Sequence, residues 1–183
     1  MARMPSTMLP LGTRLPAFEL PEPRTGTTIS SADFAGQPLV LSFVCNHCPF
    51  VVHIWEQFVA FAAEYADKGV QTVAISSNDV IAHPADSPEK MAELAHNSGA
   101  TFPYLYDESQ SVAKAYDASC TPDFYFFDEK GLLVYRGQFD GARPGNGTFV
   151  TGADMRAAVD ALLAGEPISI EQKPSMGCSI KWK

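Results

Sequence analysis

A three-layer α/β/α sandwich around a mixed sheet is the fold class this sequence predicts, on three observations. Apolar strand-like runs alternate with segments of helical period along most of the chain. Two aromatic-rich runs near the C-terminal third are separated only by Glu129-Lys130-Gly131, the pattern of an antiparallel hairpin. The composition, 46% hydrophobic and 19% charged over 183 residues, is that of a globular protein able to bury its own core.

The elements follow in order. "LGTRLPAFEL" and "TTIS" are short extended pieces, with a turn at "SADFAGQP". Pro38 to Val44 ("PLVLSFV") is an unbroken apolar run, as expected of a strand buried on both faces. Val51, Ile54, Trp55, Phe58 and Phe61 or Ala62 recur at three and four residues, a helix that stops near Gly69. Val70 to Ser76 is the next strand. A polar loop then leads into a helix capped by Ser87, with Pro88 at its first position. "TFPYLYD" is a strand and "SQSVAKAYDA" a short helix. "PDFYFFD" and "LLVYRGQF" make the hairpin, "GARPGNGTFVTG" a loop, and "ADMRAAVDALLAG" a final amphipathic helix. The order β–α–β–α–β–α–β–β–α implies parallel neighbours joined by right-handed crossovers, plus one antiparallel pair. The expected organisation is one domain over 1–183: an N-terminal extension (1–37), a core (38–166) with an insertion at about 77–101, and a C-terminal tail (167–183). Because the tail carries Ile180, Trp182 and Cys178, it is expected to dock. Gly177 would supply a sharp turn and Trp182 would cover an apolar patch.

The net charge of −8 repels phosphate backbones and excludes a nucleic-acid partner. The proline-broken N-terminus has no apolar core of signal-peptide length, and no segment is long enough to span a membrane. A cytoplasmic location is therefore expected. In a reducing compartment, four cysteines are reactive or metal-bound rather than a disulfide framework.

Chemistry concentrates in Cys45-Asn46-His47-Cys48. Cys45 lies at the carboxyl end of the central strand and, on this reading, at the start of the following helix. Unpaired amides and the helix dipole would there lower its pKa below the usual value of about 8.5. His47, when protonated, adds a positive charge. Pro49 suits a first helical turn, where its missing N–H costs nothing. As metal ligands the two cysteines fill half of a closed zinc site, and His53, Cys120 or Cys178 would have to complete it. No metal and no organic cofactor are expected, and the redox reading is preferred. Thr121-Pro122, just before an apolar strand, predicts a cis-proline turn that presents the Thr121 backbone to a substrate chain beside Cys45. Ser76, Ser77 and Asn78 end the neighbouring strand and approach the same edge, within reach of a sulfur.

Strand–C-x-x-C–helix followed by Thr-Pro and a hairpin resembles the thioredoxin fold. "FVCNHCPFV", "HPADSPEKM", "FPYLYDE", "CTPDFYFFD", "YRGQFDGARPGNG" and "GCSIKWK" resemble, more narrowly, the bacterial peroxiredoxin-like thioredoxin proteins of the alkyl hydroperoxide reductase–thiol-specific antioxidant superfamily. That resemblance implies a thiol-disulfide oxidoreductase in which Cys45 attacks, Cys48 resolves, His47 tunes the thiolate, and Thr121, Pro122 and Asn46 position the substrate. Cys178, Cys120 and Asn78 are candidate auxiliaries. Implied partners are protein or small-molecule disulfides, or peroxides, with a thiol electron donor. The peroxiredoxin pattern P-x-x-x-T-x-x-C, laid on Cys48, finds Leu41 at the proline and Cys45 at the threonine, and the peroxide-binding arginine has no counterpart. A thiol peroxidase using Cys48 is thus the second reading, and a metal-binding module the third.

Overall fold

The computed structural model describes residues 3–183, so the first two positions of the predicted extension lie outside the described residues. The central strand is β4 (Leu39–Phe43), buried along its whole length. It pairs in parallel with β5 (Gln71–Ser76), which pairs in parallel with β6 (Tyr104–Tyr106). On its other side β4 pairs antiparallel with β8 (Asp123–Phe127), which pairs antiparallel with β9 (Leu133–Gly137). The five-stranded order is β6-β5-β4-β8-β9, the mixed sheet expected from the alternating pattern.

Period-two alternation divides the core. Val40, Ala74, Phe124 and Phe126 face one layer, packed with α1 (Pro49–Ala66), α2 (Pro88–Asn97) and α4 (Ala153–Leu163). Leu41, Phe43, Val73, Ile75, Tyr125 and Phe127 face the other, packed with α3 (Ser111–Ala115) and Phe18 and Leu20 from the N-terminal region. There β2 (Glu19–Glu22) and β3 (Thr27–Ser30) form a small hairpin of their own. The α1 stripe is the predicted one: Val51, Ile54, Trp55, Phe58, Phe61 and Ala62 are all buried, and Gly69 follows with φ of 84°. Ser87 caps α2 by accepting from Lys90 N at 3.4 Å.

Three short strands escape the pattern. β1 (Arg3–Pro5), β10 (Met176–Ser179) and β7 (Cys120–Thr121) form a separate antiparallel sheet in the order β1-β10-β7. The tail therefore docks, though not as expected. Gly177 makes no turn. It lies within β10, where an added Cβ would stand 1.9 Å from the Thr121 carbonyl oxygen. Ile180 is buried, but Trp182 is 43% exposed, with Lys114 Nζ 5.8 Å from its ring centroid. A half-exposed indole covers little, so the apolar anchor of the tail is Ile180.

Candidate active site

The strand β4 ends at Phe43, and α1 begins at Pro49 with Cys48 as its N-cap. Cys45, Asn46 and His47 form the connection, so the helix terminus acts on Cys48. This corrects the expectation that Cys45 would stand there. Pro49 occupies the first helical position, as its missing N–H requires.

Both sulfurs converge on Thr121. Cys45 Sγ lies 3.5 Å from the Thr121 hydroxyl, and the Cys48 thiol donates to the Thr121 carbonyl at 3.1 Å. The Thr121-Pro122 peptide is cis, as predicted. Held at the same residue, the two thiols titrate as a pair, ionisation of one being favoured by the S–H of the other. Cys48 is pushed down to about 4, first by the Cys45 thiol and then by donors on Cys178 and by Val51 N–H, while burial opposes. Cys45 is pushed far above the ordinary range by that same bond, by burial and by the charge of Asp86. Within the pair, the Val51 N–H of the helix start lowers the Cys48 pKa, and the Asp86 carboxylate raises that of Cys45.

Asp86 is the residue the sequence reading missed. It sits in a 3₁₀ turn (Pro84–Asp86) and is fully buried. One carboxylate oxygen accepts from Asn46 N at 2.8 Å and His47 N at 3.2 Å. The other meets His47 Nδ1 at 2.6 Å and Asn78 Nδ2 at 2.8 Å. A buried carboxylate with four polar neighbours is a satisfied one. Asn78 thus serves Asp86 and not a sulfur, and its Oδ1 accepts from Lys181 N at 2.9 Å. Of its neighbours, Ser77 donates to Asp107 at 2.9 Å, away from the thiols. The Asn46 amide donates to Ala85 O at 3.0 Å, and its oxygen accepts from the Tyr104 hydroxyl at 3.0 Å. The His47 ring stacks on His83 with centroids 5.4 Å apart. The only signal for Asp86 was its place in the polar loop "HPADSPEK".

Cys120 is buried with its thiol turned to Pro122 O at 3.7 Å, and burial and Asp123 push its pKa up. Cys178 belongs to the same core cluster as Cys45 and Cys48. In register, Cys178 stands opposite Thr121 and Ser179 opposite Cys120. The edge of Thr121 expected to receive a substrate chain is therefore taken by β10. Cys45, His47 and Asp86 bring ligand atoms within 4.8 Å of one another. Both carboxylate oxygens of Asp86 are already engaged, however, so the set is poorly disposed to bind a cation.

Comparison with known proteins places this geometry in context. A family model described as the AhpC/TSA family matches residues 11–136. A solved structure of an uncharacterized conserved protein from Geobacillus kaustophilus is 53% identical, with a TM-score of 0.98 over 100% of this chain and 97% of that one. A secreted Mycobacterium tuberculosis disulfide oxidoreductase homologous to E. coli DsbE has a TM-score of 0.60 at 19% identity, over 79% of this chain and 95% of that one, and shares the thioredoxin-like fold. A Mycobacterium tuberculosis relative named "Putative peroxiredoxin Rv2521" is 28% identical over 70% of this chain and 76% of its own length.

Proposed function

The chain belongs to the AhpC/TSA family, and from that premise we propose that it is a thiol-disulfide oxidoreductase whose working couple is Cys45–Cys48. The observation that carries this reading is the convergence of two buried free thiols on Thr121, beside a cis-proline. Such a pair holds two electrons and one readily lost proton.

When the pair has lost one proton, the charge on this reading lies on Cys48, which then no longer donates to the Thr121 carbonyl. Both sulfurs are buried; on this reading substrate contact falls to Cys45 because its neighbours Asn46 and His47 are only half-buried, whereas Cys48 lies against the Thr121 carbonyl. As Cys45 attacks a disulfide, its proton passes to Cys48. One substrate sulfur is then bonded to Cys45, and the other leaves as a thiolate and takes the proton from Cys48. The Cys48 thiolate next attacks the Cys45 sulfur, releasing the second substrate thiolate and leaving the Cys45–Cys48 disulfide. Two electrons have moved to the substrate. Asp86 fixes the backbone and ring of His47 throughout, and Tyr104 and Ala85 hold Asn46.

One observation favours the peroxidase reading: Cys48 is an N-cap thiol pushed down to about 4 and followed by proline. Against it, the group facing that sulfur is a carbonyl oxygen at 3.1 Å, where a peroxide would need donors. Among the described residues no arginine hydrogen-bonds either thiol, consistent with the missing arginine in the sequence pattern. The deciding experiment treats Cys48→Ser and Cys45→Ser with glutathione disulfide and, separately, with hydrogen peroxide. Exchange predicts mixed disulfides trapped through Cys45 in Cys48→Ser, and slow peroxide consumption by either variant. Fast, saturable peroxide turnover surviving in Cys45→Ser would overturn the proposal.

A further inference from the structure

Three sulfurs, not two, surround Thr121. The third comes from β10, which lies along β7 as an added strand would, with Cys178 directly opposite Thr121. This close pairing depends on glycine at 177, since any Cβ there would collide with the Thr121 carbonyl. That carbonyl is also the acceptor for the Cys48 thiol, so one oxygen ties the tail to the redox pair. Cys178 is packed in the same buried cluster as Cys45 and Cys48, and β10 lies against helix α1, at whose start Cys48 stands. Cys178 is 5% exposed; burial first, and then the neighbouring Cys48, push its pKa up to about 11, against a smaller opposing pull from Lys181, so its proton leaves only as Cys45 takes one up.

We propose that Cys178 is a third redox thiol of this centre, presented by β10 in the manner of a substrate strand and exchanging with the Cys45–Cys48 disulfide through Cys48. The inference rests on the reading of Cys45–Cys48 as an exchange couple. The step conserves electrons. The Cys178 thiolate attacks the Cys48 sulfur, a Cys48–Cys178 bond forms, the Cys45–Cys48 bond breaks, and its electron pair leaves on Cys45. The proton lost by Cys178 balances that taken up by Cys45, and no further oxidant is needed. The result frees Cys45 while the oxidising equivalent is held one sulfur deeper. Cys120 is unsuited to this part, because its thiol is directed to Pro122 O on the other side of β7.

The test uses Cys45→Ser in the full chain, oxidised with one equivalent of diamide, alkylated in denaturant and mapped by mass spectrometry. The expected product is a peptide pair linked through Cys48 and Cys178, with titratable thiols falling from three (the four cysteines less Cys45) to one. Cys45→Ser/Cys178→Ser should give no intramolecular link. Should Cys45→Ser misfold, wild-type protein poised in a glutathione redox buffer serves instead, and the Cys48–Cys178 peptide should appear alongside Cys45–Cys48. A Cys178 that stays fully alkylatable in both preparations would overturn the inference. The couple itself is judged by a different readout, the mixed disulfide trapped through Cys45 in Cys48→Ser, so the two failures are distinguishable.

Discussion

Asp86 meets Nδ1 of His47 at 2.6 Å while its other oxygen accepts the backbone N–H of the same histidine at 3.2 Å. Ring and main chain are thereby gripped by one carboxylate. Asp86→Asn would leave at least one of its four partners without an acceptor, a loss of about 1–3 kcal/mol for a buried group. It would also remove the negative charge that pushes the Cys45 pKa up. The variant is expected to melt lower and to alkylate faster at Cys45. Iodoacetamide rates and thermal melts check this, and an unchanged Cys45 rate would contradict it.

The dithiol should lose its first proton in acid. Thiolate ultraviolet absorbance is expected to rise well below the ordinary cysteine pKa of about 8.5, since Cys48 is pushed down to about 4 by the Cys45 thiol. Because each sulfur depends on the other as donor, both Cys45→Ala and Cys48→Ala, which remove the donor, should change the titration. In Cys45→Ala the remaining step should move up by more than one unit, about 1.4 kcal/mol for each. A wild-type titration beginning only near the ordinary value would refute the coupling.

Gly177→Ala tests the seating of the tail. The new Cβ meets backbone rather than a movable side chain, so β10 must lift from β7. A lower melting temperature and rapid proteolysis beyond Lys173 are expected. Deleting the residues after Lys173 should likewise destabilise the fold, through loss of β10 and of the Asp79 N to Lys181 O bond at 2.8 Å. Wild-type melting in either variant would show the contact to be dispensable.

Asp123 sets a pH dependence of opposite sign to that of a normal carboxylate. It is buried in β8 beside the Tyr125 hydroxyl at 3.0 Å, and burial pushes its pKa up to about 8, with the hydroxyl partly opposing. The unfolded chain releases this proton near pH ~3.9. Between those values the folded state holds a proton the unfolded state has lost, so this contribution is complete below the lower value and is lost as pH rises toward 8. Asp123→Asn keeps the shape without the titration, and its stability should gain on the wild type as pH increases. Parallel melting curves across that window would exclude the effect.

The legible parts of this protein were those with long periodic patterns. β4 and α1 carry their burial in their spacing, and Thr121-Pro122 announced its turn by position. β10 could not be read in the same way, because Met-Gly-Cys-Ser has neither alternation nor β-branching and becomes a strand only through Thr121 and Arg3 to Pro5. Asp86 was hidden for a related reason: a buried carboxylate in a polar loop has the same letters as a solvated one. The helix start expected at Cys45 stands at Cys48, because α1 begins four residues after Cys45 and spacing alone does not locate that start.

The grip of Asp86 has a consequence for transplantation. The two amides that shape the Cys-Asn-His-Cys segment end on a residue as many as 40 positions downstream, outside the motif itself. Copying the tetrapeptide into another protein of this fold would carry over its letters but not its shape. A faithful graft would have to bring the Pro84–Asp86 turn, and Asn78 behind it, as part of the same cassette.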